Sequence, residues 1–104
     1  MKKNLILTVD SSTSSTTVIV WDTKGTLIYK VSKKIKMFSP KIGFFEQNAE
    51  DWIKSLVENF RKIGIKFKYS KILCISITHQ RETFVPVDAQ GKTLRPAITW
   101  LDER

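Results

Sequence analysis

The sequence predicts an α/β fold with the element order βββαβ and a mixed sheet. Three observations support this prediction. Three apolar, strand-like segments follow one another with short links, an amphipathic stretch with helical periodicity comes next, and a further apolar run follows it. The 104 residues, of which 41% are apolar and 27% charged, suffice for one domain with a single core.

The first three strands are predicted to form an antiparallel meander. The apolar run 5–9 is closed by Asp10, and six small hydroxyl residues then lead into a β-branched and aromatic second strand at 17–21. The turn "DTKG" supplies Gly25 for a positive φ, and a third strand follows from Thr26 to about Ile35. Links this short favour antiparallel neighbours.

A helix is predicted after the loop "SPKIGFFEQ". Asn48 is a suitable N-cap, acidic residues occupy the first turn, and Gly64 is a plausible end. The apolar residues fall at spacings of one, three, one, three and three, and thus form one stripe: Trp52, Ile53, Leu56, Val57, Phe60 and Ile63.

The fourth strand is predicted at 71–78. Because it is apolar on both faces, we expect a central strand covered on both sides, with the thiol of Cys74 buried and inert. The segment "THQRET" follows, and then a hairpin-like extension from Phe84 to Trp100. Its prolines, Pro86 and Pro96, restrict hydrogen-bonded pairing to edges or interruptions.

The charge balance indicates a basic but unpatterned surface. There are 18 Lys and Arg against 10 Asp and Glu, for a net charge of +8. No run of cations exceeds two residues, and no aromatic-rich RNA-recognition motif is present, so we expect no specific nucleic-acid partner. No apolar run approaches the roughly 20 residues of a membrane span, and no signal peptide is complete. We expect a cytoplasmic location, which agrees with the single cysteine.

The segment "VDSSTSSTTVIVWD" is the first candidate for chemistry. Short side chains after a strand let a ligand approach the backbone, where N–H and hydroxyl groups hold phosphate oxygens. Asp10, at the end of the strand, is placed to bind Mg²⁺ through water. The alternative is a Ser/Thr-rich hairpin loop held by local hydrogen bonds. There is no Walker-type P-loop motif.

Four segments together resemble the amino-terminal part of the FGGY carbohydrate kinases, most closely the glycerol kinases. They are "VDSSTSSTTVIVWD", "GFFEQNAEDW", "ISITHQRETFVPVDAQGKTL" and "RPAITWLDER", and they span nearly the whole chain. The resemblance implies the ribonuclease H-like fold shared with actin-like ATPases. It also implies phosphorylation of a hydroxyl of glycerol or a related polyol or sugar, with ATP and Mg²⁺.

The resemblance further implies roles for particular residues. Thr13, Ser14 and Ser15 match positions that contact the phosphates of the nucleotide. Arg81 and Glu82 match positions that bind the hydroxyls of the substrate, and Trp100 would form an apolar wall for its carbon skeleton. His79 is assigned no chemical role. Asp102 and Arg104 belong to the ending "W-x-D-x-R", and either a structural or a substrate-proximal role is open for them.

Two residues depart from the family pattern. Ser12 stands in place of the usual glycine, which would make the backbone beside the phosphates less permissive. Thr17 replaces a frequent arginine and so removes a charge partner for phosphate. Either change is expected to weaken the affinity for nucleotide.

The family pattern also implies that this chain is a fragment. Residues 1–104 would be the N-terminal part of the first kinase domain, with the second domain absent and the general base beyond position 104. We therefore expect no turnover by the chain alone. The alternative is a freestanding, non-catalytic module, either actin-like or basic and nucleic-acid-binding. An oligomer is compatible with the sequence.

Overall fold

The computed structural model describes residues 2–104 and confirms the predicted element order. Three strands come first, and a short strand precedes the single α-helix. A 3₁₀ turn at Tyr69–Lys71 links this helix to the fifth strand. The elements are β1 (Leu5–Ser11), β2 (Ser15–Asp22), β3 (Leu27–Lys34), β4 (Glu46–Gln47), α1 (Ala49–Lys66), β5 (Ile72–His79) and β6 (Ala97–Ile98).

The main sheet has the strand order β3-β2-β1-β5. The first three strands are antiparallel, as predicted, whereas β5 runs parallel to β1. Asp10 is the register partner of Thr78, and the backbone N–H of Gln80 donates to the carbonyl of Ser11 at 3.0 Å. The C-terminal ends of β1 and β5 therefore lie side by side at one end of the sheet. The segments that follow the two strands begin next to each other.

The core lies between α1 and one face of the meander. Inward-pointing residues alternate along β1 and β2, as expected for a sheet with one covered face. Ile63 of the helix packs against them, and partly buried Phe60 and Phe67 extend the contact. The fully buried apolar residues of β1 and β2 are Leu7, Val9, Val18 and Val20.

The predicted helix stripe is only partly right. Ile53 and Val57 are exposed, while Ser55 and Asn59 are buried. The reason is that these two polar side chains face the beginning of β2. The hydroxyl of Ser55 donates to Thr16 Oγ1 at 2.7 Å, and Asn59 Nδ2 donates to the Thr16 carbonyl at 2.9 Å. The helix thus holds the hairpin between β1 and β2 through hydrogen bonds as well as apolar contact.

Both predicted helix ends need adjustment. Asn48 occupies the N-cap position, but its side chain makes no capping hydrogen bond. Gly64 does not end the helix, which continues to Lys66, and the backbone N–H of Phe67 then bonds to the carbonyl of Ile63. Gly64 instead lies against Tyr69, and a Cβ at this position would displace the tyrosine hydroxyl.

The expectation for the fourth predicted strand, now β5, was wrong in two respects. The strand is at the edge of the sheet rather than at its centre. Its apolar residues are exposed within the described chain, and Cys74 is exposed with them. Leu73, Ile75 and Ile77 are each about half exposed or more. These three residues alternate along the strand and so lie on one face, for which residues 2–104 supply no cover.

The chain after β5 returns across the beginning of the helix. Val87 bridges to Thr93 around a turn that the carboxylate of Asp88 stabilises, and Phe84 bridges to Ile98. Strand β6 then pairs with β4 in a second, two-stranded sheet. None of the described helices is long and apolar enough to cross a membrane.

Candidate active site

A cavity of about 330 Å³ opens at the C-terminal ends of β1 and β5. In open α/β sheets, ligands bind at this end of the strands. The cavity collects polar side chains from three separate segments of the sequence, namely Asp10, Ser12, Thr13, His79, Gln80, Arg81, Glu82 and Trp100. The structure thereby brings together seven of the positions that the sequence analysis predicted or discussed, from opposite ends of the chain.

Asp10 lies at the floor of the hairpin between β1 and β2. Its carboxylate accepts a short hydrogen bond from the hydroxyl of Ser12. No cluster of three metal-ligating side chains occurs among residues 2–104, so a cation here would depend on Asp10, water and ligand oxygens. This donor set fits Mg²⁺, which keeps several waters and binds through one or two carboxylates plus phosphate.

Ser12 does not strain the hairpin. Among residues 2–104, Glu82 is the only non-glycine residue with a positive φ. The φ of Ser12 is therefore negative, which residues other than glycine adopt readily. The backbone N–H of Ser12 donates to the carbonyl of Ser15 at 2.9 Å and closes the turn. The expected backbone penalty of replacing glycine at this position is therefore not found.

The other hairpin positions do not line the cavity. Ser14 is exposed at the tip, and its carbonyl accepts a hydrogen bond from the backbone N–H of Ile35 at 2.9 Å. Neither Ser14 nor Ser15 lines the cavity. The hydroxyl of Thr17 is 2.8 Å from that of Ser32, so it points toward the neighbouring strand β3.

Arg81 and Glu82 are opposite charges that remain unpaired. Neither side chain makes a hydrogen bond or an ion pair with any other residue of the described chain, although both line the same cavity. Glu82 has φ of 61°, in the left-handed region that a residue with a Cβ seldom adopts. Such a conformation costs free energy and is concentrated at functional sites, where it aims a side chain.

Trp100 forms one wall of the cavity and is held from two directions. Its side chain is about half exposed, at 52% for the residue, yet its indole Nε1–H donates to Thr13 Oγ1 at 2.8 Å. Its backbone N–H donates to Thr83 Oγ1 at 3.1 Å. The wall is thus tied both to the hairpin and to the segment that carries Arg81 and Glu82.

Two glutamines that sequence reasoning left without a role connect these parts. Gln47 is fully buried, and its amide nitrogen donates to the carbonyl of Thr13. Its Oε1 accepts two hydrogen bonds, from Gln80 Nε2 at 3.0 Å and from Trp52 Nε1 at 3.1 Å. Gln80 Oε1 accepts from Thr83 at 2.8 Å and from Thr13 at 3.3 Å. Both residues lie inside segments that carry the family resemblance, Gln80 in "QRET" and Gln47 in "GFFEQNAEDW", but neither segment indicated that their side chains bond to each other.

His79 remains without an assigned role. It is exposed at the end of β5, and its Nδ1 is 2.9 Å from the carbonyl oxygen of the next residue. This local contact orients the ring but engages no group across the cavity.

The last two residues of the ending "W-x-D-x-R" lie in a cluster of ion pairs. Arg104 contacts both Asp102 and Glu46 at 2.7 Å, and Glu46 also pairs with Arg95 at 2.6 Å. The hydrogen bond from Arg104 holds the pKa of Asp102 well below its usual value and lowers the pKa of Glu46, while the pKa of Arg104 is raised. Neither Asp102 nor Arg104 lines the cavity.

Comparison with known proteins identifies the group to which this architecture belongs. Residues 5–104 match the model of the FGGY family of carbohydrate kinases, N-terminal domain. The sequence is 33% identical to glycerol kinase 1 of Thermotoga maritima over 95% of this chain and 21% of that enzyme. It is 30% identical to a xylulose kinase of Staphylococcus epidermidis, over 100% of this chain and 21% of that enzyme.

The fold comparison agrees with the sequence comparison. The crystal structure of Plasmodium falciparum glycerol kinase with ADP superposes with a TM-score of 0.87 and 32% identity, over 99% of this chain and 21% of that chain. This likeness confirms the predicted ribonuclease H-like, actin-like fold. The chain spans about a fifth of the length of the relatives it matches.

Proposed function

This chain belongs to the FGGY family of carbohydrate kinases, and we propose that the protein it forms part of transfers the γ-phosphoryl group of MgATP to a hydroxyl of glycerol or a related polyol or sugar. In this proposal Arg81 and Glu82 bind the hydroxyls of the substrate, and Trp100 covers its carbon skeleton. Thr13, Ser14 and Ser15 bind the phosphates, and Asp10 holds Mg²⁺ through water.

The observation that carries the proposal is the unpaired state of Arg81 and Glu82. Both side chains are exposed, so nothing in the described chain stands between them and a ligand in the cavity. At the cavity the chain leaves one donor group and one acceptor group free beside an aromatic wall. A polyol presents hydroxyls, each of which both donates and accepts, and a carbon skeleton that packs on an aromatic ring. The free groups and the wall match these needs.

The hairpin supports a nucleotide at the same cavity. Thr13 and Asp10 line it together with Arg81, so phosphate oxygens held by the hairpin would lie close to a bound hydroxyl. Bound Mg²⁺ supplies charge neutralisation on the phosphates, and the residues of the chain supply position. Holding both reactants in one orientation accelerates phosphoryl transfer together with stabilisation of the charge.

The remaining parts of the enzyme lie elsewhere in the protein under this proposal. Residues 1–104 form the N-terminal part of the first kinase domain, and the general base and a second domain come from further sequence. The greater length of the relatives supports this view. So does β5, whose apolar residues Leu73, Ile75 and Ile77 require a cover that residues 2–104 do not provide.

The experiment uses the full-length protein and a panel of polyols and pentuloses with MgATP. Arg81→Ala and Glu82→Ala should each raise KM for the preferred substrate by roughly tenfold or more, because each removes a charged hydrogen-bond partner. Arg61→Ala, which removes an exposed arginine of α1, is the matched control and should keep the wild-type KM.

Two results would count against the proposal. Unchanged KM and unchanged substrate preference in both cavity variants would remove Arg81 and Glu82 from the substrate site. Absence of ATP-dependent phosphorylation across the whole panel in the wild-type protein would remove the proposed reaction itself.

A further inference from the structure

A ring of hydrogen bonds begins and ends on Trp100. The indole Nε1–H of Trp100 donates to the hydroxyl of Thr13, and its backbone N–H donates to the hydroxyl of Thr83. Both threonine hydroxyls then donate to the same amide oxygen of Gln80. The aromatic wall, the hairpin and the "THQRET" segment are therefore joined at a single acceptor atom.

The two bonds to this acceptor differ in length. Thr83 reaches Gln80 Oε1 at 2.8 Å, whereas Thr13 reaches it at 3.3 Å. An O–H···O hydrogen bond is normally 2.5–3.0 Å long, so the bond from Thr13 is a weak one. Gln80 Oε1 keeps a good donor in Thr83 if the proton of Thr13 turns elsewhere. Redirecting that proton consequently costs little.

The hydroxyl of Thr13 has one proton and two acceptor positions. One acceptor position is used by the indole of Trp100, and the proton is used by the weak bond to Gln80. To donate to a phosphate oxygen, Thr13 has to exchange its neutral amide acceptor for an anionic one. Hydrogen bonds to ionised acceptors are shorter and stronger, and a hydroxyl that donates more strongly also accepts more strongly.

We propose that the hydroxyl of Thr13 couples the nucleotide subsite to the polyol subsite through the indole of Trp100, so that each ligand strengthens the binding of the other. This inference rests on the proposed function. A phosphate that takes the proton of Thr13 strengthens the bond from Trp100 Nε1–H and fixes the half-exposed indole as a wall. A polyol packed on that wall then meets a group that is already ordered, and the effect is reciprocal.

The experiment measures this coupling in the full-length protein. The dissociation constant of glycerol, or of the polyol that the substrate panel selects, is determined with and without saturating magnesium and a non-hydrolysable ATP analogue. For the wild type we expect the nucleotide to lower this constant by roughly fivefold or more. Trp100→Phe keeps an aromatic wall but lacks the indole donor, so its coupling factor should fall to near one.

Three further variants separate coupling from general damage. Thr13→Val removes the hydroxyl and should abolish coupling, whereas Thr13→Ser restores the hydroxyl and should restore it. Trp21→Phe is the matched control, because the indole of Trp21 makes the same kind of bond, at 2.9 Å to Thr8 Oγ1, away from the cavity. It should keep the wild-type coupling factor.

The inference fails if Trp100→Phe retains the wild-type coupling factor, or if Thr13→Ser and Thr13→Val behave alike. A wild-type protein that phosphorylates a polyol with a coupling factor of one would overturn this inference and leave the proposed function intact. A wild-type protein that neither binds nucleotide nor phosphorylates any substrate of the panel would overturn both.

Discussion

The carboxylate of Asp102 accepts a hydrogen bond from the backbone N–H of Phe45 at 2.7 Å, across 57 residues of sequence. The same carboxylate is bound by Arg104, which also reaches Glu46. This cluster clamps the segment after β6 to the segment before β4. Trp100 lies two residues from Asp102, so the clamp also holds the backbone that carries the aromatic wall of the cavity.

The clamp predicts a loss of stability in acid. The pKa values of Asp102 and Glu46 are lowered on folding from usual values of 3.8 and 4.5. The unfolded chain therefore binds protons at a higher pH than the folded chain does. The stabilisation is complete above about pH 5 and is lost progressively as the pH falls through and below 4.5. Urea denaturation at a series of pH values measures this dependence.

Asp102→Asn should reduce the loss of unfolding free energy in acid. It should also lower the free energy of unfolding at pH 7. Asp22 and Glu50 also have lowered pKa values, so part of the dependence should remain. Glu58→Gln is the control, since Glu58 makes an exposed ion pair with Lys33 at 3.4 Å, and exposed pairs contribute little. An unaltered pH profile in Asp102→Asn would show that the clamp does not contribute.

The position of Asp10 predicts a change in the requirement for magnesium. Asp10→Asn removes the negative charge but keeps the size of the side chain. In the full-length protein it should raise the Mg²⁺ concentration for half-maximal activity by roughly tenfold or more, as loss of a supporting group does at metal sites. The polyol KM at saturating magnesium should change much less. Titration of activity with Mg²⁺ at fixed ATP measures the effect.

Asp22→Asn provides the comparison for Asp10. Asp22 ends β2 at the opposite end of the sheet, where its carboxylate accepts hydrogen bonds from the backbone N–H groups of Lys24 and Thr26 at 2.9 Å. Its replacement should affect the turn and leave the magnesium titration unchanged. Equal shifts in the two variants would argue against a specific role for Asp10.

The buried bond between Ser55 and Thr16 predicts a measurable contribution to stability. Ser55→Ala leaves the hydroxyl of Thr16, which is fully buried, without its partner. We expect a loss of about 1–3 kcal/mol in the free energy of unfolding. Ser76→Ala makes the same chemical change at an exposed position of β5 and should cost less than about 0.5 kcal/mol. Urea denaturation of both variants compares them, and equal losses would contradict the assignment.

The contact between Gly64 and Tyr69 predicts a non-additive pair. Alanine in place of glycine within a helix normally gains about 1 kcal/mol. Gly64→Ala should gain nothing here, because its Cβ would displace the hydroxyl of Tyr69, which donates to the carbonyl of Phe60 at 2.8 Å. In a Tyr69→Ala background the normal gain should return. A double-mutant cycle measures the difference, and strict additivity would refute the explanation.

The order of the elements could be predicted because local patterns encode it. Alternating apolar residues and short polar links marked the meander, and acidic residues after Asn48 marked the start of the helix. The buried face of the helix could not be predicted fully. Ser55 and Asn59 are buried by partners nearly 40 residues or more away, and polar residues in a helical pattern normally indicate the exposed side.

The candidate site was predictable to the extent that its residues follow strands. Asp10 closes the apolar run of β1, and Arg81 comes shortly after the apolar run of β5. Parallel pairing of β1 with β5 brings the ends of these two runs together. The role of Gln47 was not predictable, because two of its three partners, Thr13 and Gln80, lie more than 30 residues away along the sequence. A buried amide that satisfies scattered groups leaves no periodic trace in the sequence.

The position of β5 has a consequence for handling the protein. An eight-residue edge strand with an open row of backbone donors and acceptors, and with exposed isoleucine side chains, is a template for adding further strands from other molecules. Residues 1–104 expressed by themselves are therefore expected to self-associate edge to edge. A charged residue introduced at Ile75 or Ile77 should suppress the aggregation without disturbing the core between α1 and the meander.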